Sequence, residues 1–229
     1  MLRKVSFVPD NYYHIYNRGV EKRNIFQEKS DYERFLALLY LGNDIQPVDI
    51  REHFREGGSF AELFNKERKE NLVDIGAYCL MPNHFHLLLK PKTEEGLTVF
   101  MKKICTGYSM YFNLKNQRSG ILFQGEFRAN LADKDQYLKY LSAYIHLNPV
   151  KLIEAGWKTR EIKNINKARK FLENYQWSSY LYYTGAKPSD PILNSKEFPE
   201  YFENSKEFND FINDWIVFAK EGPSQELQD

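Results

Sequence analysis

With 229 residues, 42% of them apolar and 16% aromatic, the chain can bury a sizeable core, which excludes wholesale disorder. No apolar run approaches the roughly eighteen residues of a membrane-spanning helix, and the start, MLRKVSFVPDNYY, lacks the apolar stretch and cleavage site of an export signal; the expectation is a cytoplasmic protein with no membrane partner. The 32 Lys and Arg against 31 Asp and Glu leave +1 overall, which by itself offers nothing to a polyanion.

Tyr12 to Asn17 is rich in aromatic and β-branched residues and runs into Arg18-Gly19, the pattern of a strand ending in a turn. Ser30-Asp31 offers a helix cap before Tyr32, Phe35, Leu36, Leu38 and Leu39, which recur at helical spacing. Residues 43–71 read as a variable excursion, with a short helix around Phe60 to Lys69. Leu72 to Leu80 and His84 to Leu89 are apolar strands joined by the turn Met81-Pro82-Asn83, hence a hairpin at the sheet centre.

A helix is predicted from Gly96 to Asn116, then short strands at Ile121 to Phe123 and Glu126 to Ala132. Another helix runs from a cap at Asp133 to Asn148, where Pro149 disfavours helical geometry at the residue before it. This order predicts an α+β fold, a ferredoxin-like antiparallel sheet with packed helices. Residues 150–185, with Trp157 and Trp177, add a further helical piece to a domain spanning 1–185. Residues 186–229 form an acidic helical C-terminal extension with an amphipathic helix at Lys206 to Lys220.

The charge is unevenly distributed. Residues 1–89 carry 12 basic and 13 acidic side chains, residues 90–185 carry 16 and 8, and residues 186–229 carry 4 and 10. A middle at +8 can attract phosphates through counterion release whatever the tail carries. Cys79 and Cys105 are too few for a disulfide framework or a Cys-rich zinc site, and read as buried thiols.

His84 and His86 are two apart on a predicted strand, so both imidazoles point to one face while Phe85 points to the other. Such a pair can hold one divalent ion, although a strand histidine is also a common core residue. A third ligand has to come from elsewhere, and the segment Asp133 to Pro149 contains Tyr144, His146 and Asn148. Tyr144 and Asn148 are four apart and share a helix face, while His146 lies about 200° from each. That face suits a phenol attacking a phosphate beside an ion. Tyr137, Tyr140, Leu141 and Tyr144 equally form the apolar stripe of a core helix, and spacing leaves the two readings open.

Four stretches, YHIYNRG, AYCLMPNHFHLLLK, LFQGEFRA and YLSAYIHLNPVK, resemble in order the single-tyrosine HUH transposases, and most closely the REP-associated tyrosine transposases of bacteria, over residues 8–183. The resemblance implies an HUH endonuclease fold in which His84 and His86 are metal ligands, Asn148 is the third ligand and Tyr144 is the nucleophile. It implies Mg²⁺ or Mn²⁺, with zinc on two histidines as the rival, and cleavage of one DNA strand beside a hairpin through a 5′-phosphotyrosine link. Related insertion-sequence enzymes work as dimers and the REP-associated group as monomers, so the resemblance also implies a monomer over a dimer. No P-loop signature occurs, consistent with strand joining without ATP or another small-molecule cofactor.

For DNA contacts the candidates are Arg18 in YNRG, then Lys102, Lys103, Arg128 and the cluster Lys163, Lys167, Arg169 and Lys170. Glu126 departs from the family, which usually has a basic residue there; a carboxylate beside a DNA path repels phosphate unless it pairs with a neighbour such as Arg128. The alternatives are a DNA-hairpin binding protein that does not cleave and a metal-dependent hydrolase of small phosphoesters. The acidic tail is either a helix packed onto the core or a cover that competes with DNA.

Overall fold

A computed structural model of the chain describes residues 6–47, 49–154, 162 and 164–217. The strands β1 (Tyr13–Arg18), β2 (Val73–Met81), β3 (His84–Pro91) and β4 (Arg128–Leu131) form a four-stranded antiparallel sheet in the order β2-β3-β1-β4. The helix α1 (Lys29–Leu41) follows β1, two short helices α2 (Ile50–Arg55) and α3 (Phe60–Leu63) precede β2, and α4 (Gly96–Lys115) joins β3 to β4. Two split β-α-β units with the first and third strands central are the ferredoxin-like layout expected from the sequence.

Period-2 alternation gives the sheet two different faces. Ile15, Phe85, Leu87, Leu89, Tyr78 and Leu80 pack against Phe35 and Leu39 of α1 and Phe100, Ile104 and Tyr108 of α4. The opposite face presents Ala77, Cys79 and Leu88 to Leu138, Leu141 and Ile145, which belong to α5 (Asp135–Leu147). Cys79 and Cys105 are free thiols; burial pushes that of Cys105 up to about 12 and that of Cys79 higher still. The helix α5 therefore covers the face that carries the even-numbered residues of β1 and β3.

Several boundaries differ from those expected, each for a local reason. The cap of α1 is Glu28, not Ser30, because Asp31 sits at the third helical position and closes a capping box with it. Buried Asp31 needs partners for its charge, and accepts from the backbone N–H of Gln27 at 2.8 Å, the Tyr111 hydroxyl at 3.0 Å and the Lys115 ammonium at 2.5 Å. The expected strand at Ile121 to Phe123 is only a bridge between Gly19 and Phe123, since left-handed backbone at Gly120 and Gly125 turns the chain on either side. The expected cap at Asp133 fails because sheet pairing continues through Ala132, whose N–H donates to Tyr12 O at 2.8 Å; α5 starts two residues later.

Pro149 does not push Asn148 out of helical geometry. The chain passes from α5 directly into a 3-10 turn, Asn148–Leu152, with Pro149 in its first turn, where the missing N–H is not needed, and Asn148 keeps φ −50° and ψ −40°. The excursion leaves and returns at one point: Asn43 at the end of α1 donates to Val73 O at 2.8 Å and accepts from the N–H groups of Leu72 and Val73 at 3.0 and 2.9 Å. The helix expected to reach Lys69 stops at Leu63.

Beyond α5 come α6 (Ile165–Glu173), α7 (Tyr180–Tyr183) and α8 (Ser205–Val217). Trp177 O accepts from Leu80 N at 2.8 Å, while Trp157, Lys163 and the expected helix end at Phe218 to Lys220 lie outside the described residues. The segment before α8 is strapped to the β2 edge, with the Tyr78 hydroxyl donating to Asp190 at 2.7 Å, Asn194 N–H to Ile75 O at 2.9 Å and Lys90 to Glu197 at 2.7 Å. Phe208, Ile212 and Ile216 of α8 are buried against Ala143 and Leu147 of α5 and Ala168 and Leu172 of α6. Among the described residues no helix is long and apolar enough to cross a membrane.

Two predictions follow from this packing. Truncation by Phe208→Ala leaves a cavity behind α5 and should lower stability by about 3 kcal/mol in a urea titration. His146, fully buried, lies between Ser142 O and the Ser179 hydroxyl, each at 2.7 Å, and burial pushes its pKa down to about 4. The unfolded chain binds a proton on this residue near pH 6.5 and the native state does not, so stability is full above that pH and falls as pH drops toward about 4. Urea midpoints measured across this window should fall in the native chain and fall less in His146→Gln.

Candidate active site

The antiparallel register between β1 and β3 sets Arg18 against His84, Tyr16 against His86 and His14 against Leu88, so His14, Tyr16, His84 and His86 share the face that α5 covers. The turn Pro82-Asn83 that delivers His84 is clamped by the segment leaving β1. Ile25 and Phe26 N–H groups donate to Pro82 O at 2.8 and 2.9 Å, and Gly19 N–H donates to Asn83 O at 2.8 Å. Gly19 has to be glycine, because a Cβ there would run into the Arg23 carbonyl and the Ile25 side chain. The Asn83 amide donates to Lys22 O at 3.2 Å, which aims its oxygen at His84 Nδ1, 2.6 Å away. His84 Nδ1 thus carries the proton and the lone pair lies on Nε2.

His86 is buried, its Nδ1 2.9 Å from His14 Nε2. Its Nε2 is buried with no hydrogen-bond partner among the described residues. Burial first, then the positive charge that His84, His14 and Lys151 can carry, holds its pKa well below the usual range, so the ring is neutral at pH 7 and keeps a lone pair.

The end of α5 lies over these imidazoles. The Tyr144 ring stands edge-on to His86, with centroids 5.3 Å apart, and to His14 at 5.7 Å. Asn148 is fully buried and its amide donates to Tyr144 O at 2.8 Å, which leaves Oδ1 buried without a partner among the described residues. Lys151, from the 3-10 turn, holds its ammonium 5.1 Å from the centre of the Tyr144 ring.

A buried lone pair on His86, a second imidazole 5.0 Å from it between ring centres and an unpaired amide oxygen are a donor set that fits a divalent ion. Among the described residues no three His, Cys, Asp or Glu side chains group as a metal site, so Asn148 is the candidate for a donor of a different type.

An open cleft of about 110 Å³ adjoins the imidazoles and is lined by Arg18, Arg128, Gln124 and Glu126 together with His84 and His86. Arg18 donates to the Gln124 side-chain oxygen at 3.3 and 3.1 Å. Glu126 and Arg128 are both exposed, and among the described residues neither has an ion-pair partner within 4 Å. Lys102 and Lys103 are not brought to this cleft. They lie on α4, across the sheet, and Lys103 donates to the carbonyls of Asp44 and Gln46. His146 points away into the α8 side of the core, as its spacing implied.

His14, Tyr16 and Lys151 are among the polar residues around these imidazoles that sequence reasoning passed over. The signal for His14 was available: it alternates with Tyr16 and Arg18 in YHIYNRG and so shares a face with Arg18. Lys151 closes YLSAYIHLNPVK, but only the continuation of helical geometry through Asn148 brings it back over Tyr144.

Comparison with known proteins adds three findings. Among curated proteins none matches the chain. Among solved structures it is similar to a REP-associated tyrosine transposase bound to a REP hairpin, 14% identical, with 81% of this chain and 86% of that chain covered and a TM-score of 0.49. The family model described as "Transposase IS200 like" matches residues 7–148, a span that takes in both imidazoles of the hairpin, Tyr144 and Asn148. On that match, over more than half of its length, the chain belongs to the IS200-like transposase family.

Proposed function

We propose that this chain breaks and rejoins single strands of DNA beside a hairpin through a covalent bond between Tyr144 and a 5′-phosphate. The observation that supports this most is the phenol ring standing edge-on 5.3 Å from His86, where two buried lone pairs, His86 Nε2 and Asn148 Oδ1, meet no donor among the described residues. The motifs shared with REP-associated tyrosine transposases support a hairpin-bearing substrate.

His84, His86 and Asn148 would hold the divalent ion, Mg²⁺ or Mn²⁺, which when bound polarises the scissile phosphate and spreads the charge that builds on it. Tyr144 Oη attacks phosphorus and gives up its proton. The bond from phosphorus to the 3′-oxygen breaks, and that oxygen takes a proton to leave as a free 3′-hydroxyl. Attack by an incoming 3′-hydroxyl reverses the step and returns the proton to the phenol. One phosphodiester is exchanged for one phosphotyrosine ester, so no ATP is consumed. A phenol with pKa about 10 is a weak nucleophile at neutral pH, and the Lys151 ammonium over its ring favours the developing phenolate. Arg18 and Arg128, on the rim of the cleft, grip the strand. The chain acts as a monomer in the cytoplasm, with no small-molecule cofactor.

Incubation with a hairpin oligonucleotide carrying a single-stranded flank and Mn²⁺ should give a protein–DNA species that survives denaturation, and EDTA should abolish it. Tyr144→Phe should remove the adduct entirely and leave hairpin binding within about twofold, since the ring and its packing are kept and only one hydroxyl is lost. An undiminished adduct in that variant refutes the assignment of the nucleophile, and hairpin binding by the native chain without any adduct favours the non-cleaving reading.

Glu126 makes a separate test of the DNA path. Glu126→Lys replaces a carboxylate in the cleft with a cation, and should tighten single-stranded DNA binding and steepen its salt dependence by about 0.7 in log-log slope per added phosphate contact. An unchanged slope would place the strand elsewhere.

A further inference from the structure

We propose that His14 is a positioning residue for the metal site, accepting the Nδ1–H of His86 on its own Nε2 and so fixing the tautomer and ring plane that present the His86 Nε2 lone pair. The inference rests on the reading of His84 and His86 as metal ligands.

The two rings are near-parallel at 19° with centroids 5.1 Å apart, both residues are about 1% exposed, and the nitrogens face each other at 2.9 Å. One proton lies between two nitrogens, so there are two possible arrangements. If His14 donated, a neutral His86 would carry its proton on Nε2, a buried position with no acceptor among the described residues. That form has no lone pair on Nε2 for an ion. If His86 donates, its Nε2 keeps the lone pair that ligation uses, and neutral His14 carries its own proton on its buried Nδ1; the two arrangements differ in whether His86 can bind an ion. Metal-bound imidazoles commonly donate their second N–H to a fixed acceptor. For His84 that acceptor is Asn83 Oδ1 at 2.6 Å, and for His86 it is a third histidine on the neighbouring strand.

Placement of His14 supports a directing role over simple filling. It lies on β1 between Leu88 of β3 and Asn130 of β4, and its ring also meets the edge of Tyr144 at 5.7 Å. The same side chain therefore touches the imidazole that would hold the ion and the phenol that would attack beside it.

The test uses the full chain without DNA. Long-range ¹H–¹⁵N correlation spectra of the native protein, with His86 assigned by comparison with His86→Gln, should show His86 protonated on Nδ1; protonation on Nε2 overturns the proposal without need of a His14 variant. Calorimetric titration with Mn²⁺ should then show about 10- to 100-fold weaker binding in His14→Leu, and recovery of most of that loss in His14→Gln, whose amide oxygen can accept the same N–H. A His14→Leu protein that melts as the native one does and binds Mn²⁺ equally well overturns the proposal. Native protein that binds no Mn²⁺ brings down the metal-site reading instead, a result distinct from a wrong tautomer.

Discussion

The pairing of β1 with β3 is the constraint on which the rest of the site depends. Because side chains alternate across a sheet, a slip of one residue would send His84 and His86 into the apolar layer beside Phe35 and turn Phe85 toward α5. Register is held at the end of the strands where the chemistry is proposed: Gly19 and the Ile25-Phe26 pair grip the hairpin turn through its carbonyls, and Asn17 donates to Gly125 O at 3.3 Å. Gln124 N–H also donates to Arg18 O at 2.8 Å. One strand end therefore sets the turn that carries His84, the loop that carries Glu126 and the position of Arg18. Catalytic geometry depends on rigid elements more than on the side chains themselves, and here most of the rigidity is backbone hydrogen bonding.

Charge at the site is organised by burial as much as by sign. His86 stays neutral because it is out of water and surrounded by groups that can be positive, which preserves a lone pair but disfavours a cation unless the phosphate of a substrate contributes negative charge. The +8 of the middle segment overstates what is free to meet that substrate. Lys90 and Lys92 pair with buried Asp74, Lys115 pairs with Asp31 and Glu28, and Lys103 satisfies carbonyls. The cations left facing the cleft are fewer, and Glu126 stands among them.

Much of this was legible in the sequence, for reasons that can be named. Strong period-2 and helical patterns located the strands, the hairpin and the long helix, and the four-residue spacing of Tyr144 and Asn148 placed both on one face, where the structure has Asn148 donating to Tyr144 O. What was not legible depends on partners distant in sequence. His14 meets His86 across 72 positions, and nothing local to YHIYNRG indicates which strand it will face. Lys102 and Lys103 sit in a basic stretch, yet the side of the sheet they occupy follows from the crossover of α4 and not from their charge. The failed caps at Ser30 and Asp133 were lost to longer-range demands, one from the buried Asp31 and the other from sheet pairing through Ala132.

The position of α5 links the acidic extension to the chemistry. This helix lies between two packed layers: Leu138, Leu141 and Ile145 face the sheet, while Ala143 and Leu147 face α6 and α8. Trp215 of α8 meets Tyr140 at 5.2 Å, and Tyr140 meets Tyr144 at 6.0 Å. A helix held from one side only could rock about the sheet and carry the phenol with it, whereas one held from both sides has its rotation set by close packing. None of the α8 side chains lines the cleft beside His84 and His86. The described part of the extension thus packs against the helix that bears Tyr144 and contributes no side chain to the cleft.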